Sequence, residues 1–153
     1  MNSLELMQAP ADRLPGDAVG VFYFEDQRPL AGPCALLDWR LDGLPTRFLL
    51  KGKLTGKAGE HAVYQNNGRL AAAWAFFVGG GRWQELDKTA YALLVRHLLG
   101  VVSEAGFKEP SLCLPVMEGL DSADITELVR RELDGLQKKF TICRLSTNHD
   151  PAV

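Results

Sequence analysis

Three patterns in this chain predict an α/β protein, a three-layer αβα sandwich around a mixed sheet of about six strands. Strand-like runs alternate with helix-like runs along the sequence, the order expected when helices cover both faces of a sheet. An Asn-Gly pair between two strand-like runs adds an antiparallel hairpin. Near the carboxy terminus a segment with helical period carries apolar residues on one side and charges on the other.

The elements follow in order. Leu4 to Gln8 alternates weakly and predicts a short edge strand. Ala18 to Phe24 is apolar, β-branched and aromatic without interruption, the pattern of a strand buried on both faces. Glu25-Asp26-Gln27-Arg28 ends it. Gly32-Pro33 then starts a helix running to about Leu41, because proline's missing N–H costs nothing in a first turn. Leu44-Pro45 repeats the device for a second short helix, closed by Gly52 in a left-handed conformation. His61 to Gln65 and Arg69 to Val78 are the arms of the hairpin, joined by Asn66-Asn67-Gly68 as a tight turn with positive φ at both centres. Ala71-Ala72-Ala73 alone favours helix, but Trp74 to Val78 and the turn override it, with a start as late as Ala73 as the alternative.

From Asp87, an N-cap residue, the chain is apolar on most sides through Ala105, and Gly106 stops this largely buried helix. Leu112 to Met117 is the next strand, and Pro115 requires that it end nearby or lie at an edge. In the last helix Ile125, Leu128, Val129, Leu133 and Leu136 share a face, while Glu127, Arg130, Arg131 and Asp134 meet water. Asp121 or Ser122 caps it. Phe140 to Leu145 is the final strand, and Ser146 to Val153 has the polarity of a loose tail. The expected organisation is one domain over residues 1–146 and a flexible tail over 147–153.

Composition narrows the function classes. With 153 residues, 46% hydrophobic and 24% charged, the chain is sized for one domain with a real core. Its 17 basic and 19 acidic residues are interspersed and leave a formal charge of -2, so nucleic-acid binding is disfavoured. There is no basic stretch followed by an apolar run at the amino terminus and no window long enough to span a membrane, which predicts a soluble, cytoplasmic protein. Cys34, Cys113 and Cys143 are odd in number and far apart, the pattern of buried reduced thiols.

Gly52-Lys53-Leu54-Thr55-Gly56-Lys57-Ala58-Gly59-Glu60 is similar to the glycine- and lysine-rich turn that precedes the hairpin in the amino-terminal domain of leucyl aminopeptidases, peptidase family M17. Glu85-Leu86-Asp87 to Gly106 resembles that family's long helix, and Leu112-Cys113-Leu114-Pro115 its next strand. The likeness covers roughly residues 4–145. It implies a macro-domain-like fold, a six-stranded mixed sheet between helices. It also implies that the metal ions, catalytic lysine and signature peptide of these enzymes belong to a separate carboxy-terminal domain, and nothing after Ser146 resembles that domain. Asn148-His149-Asp150 is no substitute for the converging carboxylates a two-metal hydrolase needs. The expectation is therefore an amino-terminal domain standing without its catalytic partner, with no catalytic residue, metal ligand set or cofactor assigned.

Four local features bear on binding. Gly79-Gly80-Gly81, followed by Arg82 and Trp83, ends a strand ahead of a long helix, where free backbone N–H groups approach anions. Macro domains hold the phosphates of ADP-ribose at a comparable place, so these residues are the candidate nucleotide site, with Trp83 as a stacking face. Glu85 and Asp87 oppose it by charge, and a flexible turn is the plainer reading. Lys51, Lys53 and Lys57 form a basic turn able to meet a phosphate or an acidic partner, or simply to be solvated. His61, His97 and His149 share no metal-binding spacing and are read as structural or surface residues. Cys34 near a helix start is a nucleophile only if the local dipole lowers its pKa.

The preferred expectation is a non-catalytic binding or interaction module, monomeric or weakly dimeric, with a protein partner or self-association. The alternative is a macro-like domain that binds ADP-ribose or another nucleotide at Gly79 to Trp83.

Overall fold

The computed structural model describes residues 3–147, and they form six strands and four α-helices. The strands are β1 (Leu4–Leu6), β2 (Ala18–Tyr23), β3 (His61–Gln65), β4 (Trp74–Gly79), β5 (Pro110–Cys113) and β6 (Cys143–Ser146). The helices are α1 (Pro33–Arg40), α2 (Leu44–Leu50), α3 (Lys88–Glu104) and α4 (Ser122–Asp134). The sheet order is β1-β6-β5-β2-β4-β3, parallel throughout except for the antiparallel β3–β4 pair. A mixed sheet and an αβα sandwich are thus what the sequence pattern anticipates.

Alternation along β2 explains the three layers. Val19, Val21 and Tyr23 pack with Cys34, Leu37 and Leu41 of the α1 layer. Ala18 and Phe22 pack on the opposite face with Val95, Leu98 and Leu99 of α3 and with Ile125 and Val129 of α4. Gly20 permits the second contact, since a Cβ there would lie 2.8 Å from the Leu98 side chain. Every β2 residue is buried, so this strand reads as a continuous apolar run. Each fully buried Leu, Val or Phe contributes about 1.5–3 kcal/mol relative to exposure.

Helix boundaries follow local chemistry. Pro33 and Pro45 stand in first turns, and Gly52 has φ 73° just beyond α2. Asp87 caps α3 by accepting from the Ala90 N–H at 2.8 Å. Of the two candidates for α4, Asp121 is the cap, in a capping box with Asp124. Leu136 lies beyond α4 yet packs on its core.

Four boundaries differ from the sequence pattern. The loop between β3 and β4 is no two-residue turn, and the second arm starts at Trp74, beside the later alternative at Ala73 and not at Arg69. Only Gly68 in Asn66-Asn67-Gly68 takes positive φ; the Asn66 side chain organises the loop by accepting from the Gly68 and Leu70 N–H groups and donating to the Leu70 carbonyl. Ala71 and Ala73 donate to the carbonyls of Asp12 and Gly16 in the segment before β2, and only the Ala73 carbonyl, accepting from the Asn66 N–H at 2.9 Å, still reaches across the hairpin. β5 comes earlier than Leu112 to Met117: Pro110 opens it, where proline is tolerated, and it ends before Pro115, which lacks a ladder donor. It lies inside the sheet, so the edge alternative is ruled out. β6 begins at Cys143 because Thr141 is held by the Lys108 carbonyl, and β6 extends through Ser146. β1 is a sheet edge as anticipated, though it stops at Leu6. The tail from residue 148 onward, including Asn148-His149-Asp150, lies outside the described residues.

Candidate functional site

Parallel strands direct their carboxy ends to one rim of a sheet, where α/β proteins commonly place ligands. On that rim the segment after β2, the glycine-rich turn before β3 and the segment after β4 meet. A Cβ on Gly56 would lie 2.7 Å from the Glu25 nitrogen, and one on Gly79 would lie 2.2 Å from the Lys57 carbonyl oxygen. These glycines are therefore required by close backbone approach.

Their N–H groups are already engaged. Gly79 donates to the Glu60 carbonyl at 2.7 Å, Gly80 to Tyr23 and Gly81 to Gly56 at 2.8 Å each. Beyond Arg82, the N–H groups of Trp83 and Gln84 both go to the Asp26 carboxylate, at 2.7 and 3.1 Å. The hydrogen bond from the Trp83 N–H is the main cause that holds the Asp26 pKa below its ordinary value. Trp83 is half-buried with its ring edge-to-face against Phe24, centroids 5.1 Å apart, while Arg82 is exposed and faces Glu85 at 3.6 Å. The five predicted residues are thus neighbours, but the N–H groups of Gly79, Gly80, Gly81 and Trp83 are spent within a knot of loops.

The basic turn is organised by a residue the sequence reading passed over. Glu60 accepts from the Thr55 N–H at 2.8 Å, the Gly56 N–H at 2.9 Å, the Thr55 hydroxyl at 3.1 Å and the Tyr23 hydroxyl. Burial alone would raise the Glu60 pKa, but the hydrogen bonds from Tyr23, Gly56 and Thr55 outweigh it and hold the carboxyl low. Burial and the bond to Glu60 push the Tyr23 phenol far up. Arg28 completes the brace by donating to the carbonyls of Phe24 and Thr55 at 2.7 Å each. Lys51, Lys53 and Lys57 stand exposed around this turn. Glycine spacing exposes donors in a sequence; it does not reveal which distant carboxylate will accept from them.

The remaining candidates separate by environment. Cys34, Cys113 and Cys143 are buried thiols, and burial pushes each up to about 12, opposite to the lowering a nucleophilic Cys34 needs. His61 and His97, distant in sequence, lie with ring centroids 5.7 Å apart. Burial, and then His61, lowers the His97 pKa. Among the described residues no group of three or more His, Cys, Asp or Glu side chains comes together as metal ligands would. Beside α2 and β3, Phe48, Lys53, Leu54, Ala62, Val63 and Tyr64 line a shallow depression of about 380 Å³. Leu50 at the end of α2 is 82% exposed, and Val63 on β3, the edge strand of the sheet, is 42% exposed.

Residues 18–133 match the sequence profile of the cytosol aminopeptidase family, N-terminal domain. This chain belongs to that family. As such an N-terminal domain it is 28% identical over 119 residues to a probable cytosol aminopeptidase of Colwellia psychrerythraea, an alignment covering 78% of this chain and 23% of that protein. The domain spans about a quarter of the length of that curated relative. Among solved structures it is similar to a mutant tomato leucine aminopeptidase, with TM-score 0.68 and 17% identity over 95% of this chain and 32% of that one. It is equally similar to a Trypanosoma brucei macrodomain solved in complex with ADP-ribose, with TM-score 0.68 and 14% identity over 94% of this chain and 62% of that one. At these identities the likeness establishes the macro-domain-like fold. No helix among the described residues is long and apolar enough to cross a membrane.

Proposed function

We propose that this domain is a non-catalytic binding module that acts in the cytoplasm through contact with protein. The observation that carries the reading is the state of the rim: both glycine-bearing turns direct main-chain N–H groups onto carboxylates of the chain itself, Glu60 in one and Asp26 in the other. An incoming phosphate would have to displace a carboxylate that already accepts several hydrogen bonds, with little gain in exchange. The open edge of β3, with Val63 exposed on it, presents unpaired main-chain groups of the kind that protein contacts use. Calorimetric titration with ADP-ribose and with ADP is expected to give no binding heat. One-to-one binding, or turnover of a leucyl substrate by the purified chain with added manganese or zinc, would overturn the proposal.

A second reading is a macro-like domain that binds ADP-ribose or another nucleotide at Gly79, Gly80, Gly81, Arg82 and Trp83. It is favoured by the fold likeness to a macrodomain solved with ADP-ribose. Under this reading Trp83 stacks on the base, and Asp26 must release the N–H groups of Trp83 and Gln84. Binding heat that disappears in Trp83→Ala would support it.

A further inference from the structure

Register places His61 against α3. His61 pairs with Val78 across the β3–β4 ladder, and Val78 belongs to the same apolar layer as Leu94, Val95 and Leu98 of α3. His61 therefore stands on the α3 side of the sheet, while Tyr64, of opposite parity, packs with α1 and α2. His97 meets it from α3, with ring centroids 5.7 Å apart and ring planes inclined at 57°.

The two nitrogens of His97 differ. The ring is hydrogen-bonded to the Gly59 main chain, whereas Nε2 is buried and has no hydrogen-bond partner. With its other N–H given to a carbonyl, an imidazole keeps a lone pair on Nε2, the arrangement by which metal-binding histidines are fixed in tautomer and orientation. A buried acceptor with no donor is otherwise unfavourable by about 1–3 kcal/mol.

We propose that His61 and His97 together bind one divalent transition-metal cation of the zinc type, with water completing its coordination shell. A metal–nitrogen bond of about 2.0–2.1 Å puts each ring centre roughly 3.2 Å from the ion, so two such rings lie about 5.2 Å apart at the tetrahedral angle and about 6.4 Å apart when opposed. The observed 5.7 Å falls between these limits. His61 is exposed, so its ring turns at little cost and leaves the outer side of the ion open to solvent. The ion would tie the start of β3 and the Gly59 turn to α3. This site is independent of the protein-contact reading and of any nucleotide.

The test is calorimetric titration of the intact chain with zinc chloride, alongside His61→Ala and His97→Gln. The expected result is one ion per chain, bound more weakly in each variant by at least the roughly tenfold that even outer-shell substitutions cost. Zinc should also shift the His97 Nε2 resonance in a long-range proton–nitrogen spectrum and raise the melting temperature of the unsubstituted chain but of neither variant. Because His61 is exposed, His61→Ala reports on binding even if His97→Gln folds poorly. Absence of binding, binding unchanged in both folded variants, or an unmoved His97 resonance at saturating zinc overturns the proposal.

Discussion

Glu60 does for this domain what a bound anion does for many glycine-rich loops. Its carboxylate receives two backbone N–H groups and two hydroxyls, so the turn is set before any ligand arrives. Glu60→Ala leaves these donors without their acceptor and is expected to destabilise the fold by about 2–3 kcal/mol, read as a lower urea midpoint at unchanged m-value. Asp26 predicts a pH effect instead. Its pKa is depressed from the ordinary 3.8 in the folded state, so its contribution is complete above that value and is lost as pH falls through the lower folded value. Acid titration of stability should accordingly flatten below pH 3.8 in Asp26→Asn, and an unchanged slope would contradict the assignment.

Capping at α4 carries the next prediction. Asp121 accepts from the Asp124 N–H at 2.9 Å, and the Asp124 carboxylate in turn accepts from the Asp121 N–H at 3.1 Å. Asp121→Ala should cost about 1 kcal/mol in thermal melts, whereas Ser122→Ala, just inside the helix, should cost less. The hairpin is a contrasting case. Asn66-Gly68 chemistry announces a reversal of the chain, but its length depends on where the following alanines find partners, and they find them at Asp12 and Gly16. Local propensity located the hairpin, and contacts remote in sequence drew its boundary. Pro110 and Pro115 act likewise on β5, one admitted at the strand's first position and the other excluded from its ladder.

Two apolar layers share β2 between them, so loosening one exposes the other. Unfolding should be a single transition, with far-ultraviolet circular dichroism and the fluorescence of Trp39, Trp74 and Trp83 superimposing. Separate midpoints would argue against residues 1–146 as one cooperative unit. Along the chain, the strand–helix order, the buried character of β2, the cap at Asp87 and a cap at Asp121 or Ser122 were all legible, because each rests on residues within a few positions of one another. The rim was legible only as glycines and lysines. Whether its N–H groups are open or filled depends on Asp26, which meets Trp83 across 57 positions, and on Glu60, which meets Tyr23 across 37. The His61–His97 pair was hidden for the same reason, since neither spacing nor composition joins the first residue of an edge strand to the middle of a helix. Periodicity and turn chemistry act over one or two turns of chain and so decide which elements form. Partnership between side chains is settled only when the sheet stacks those elements side by side, and here that stacking turned a row of apparent anion donors into hydrogen bonds the molecule makes with itself.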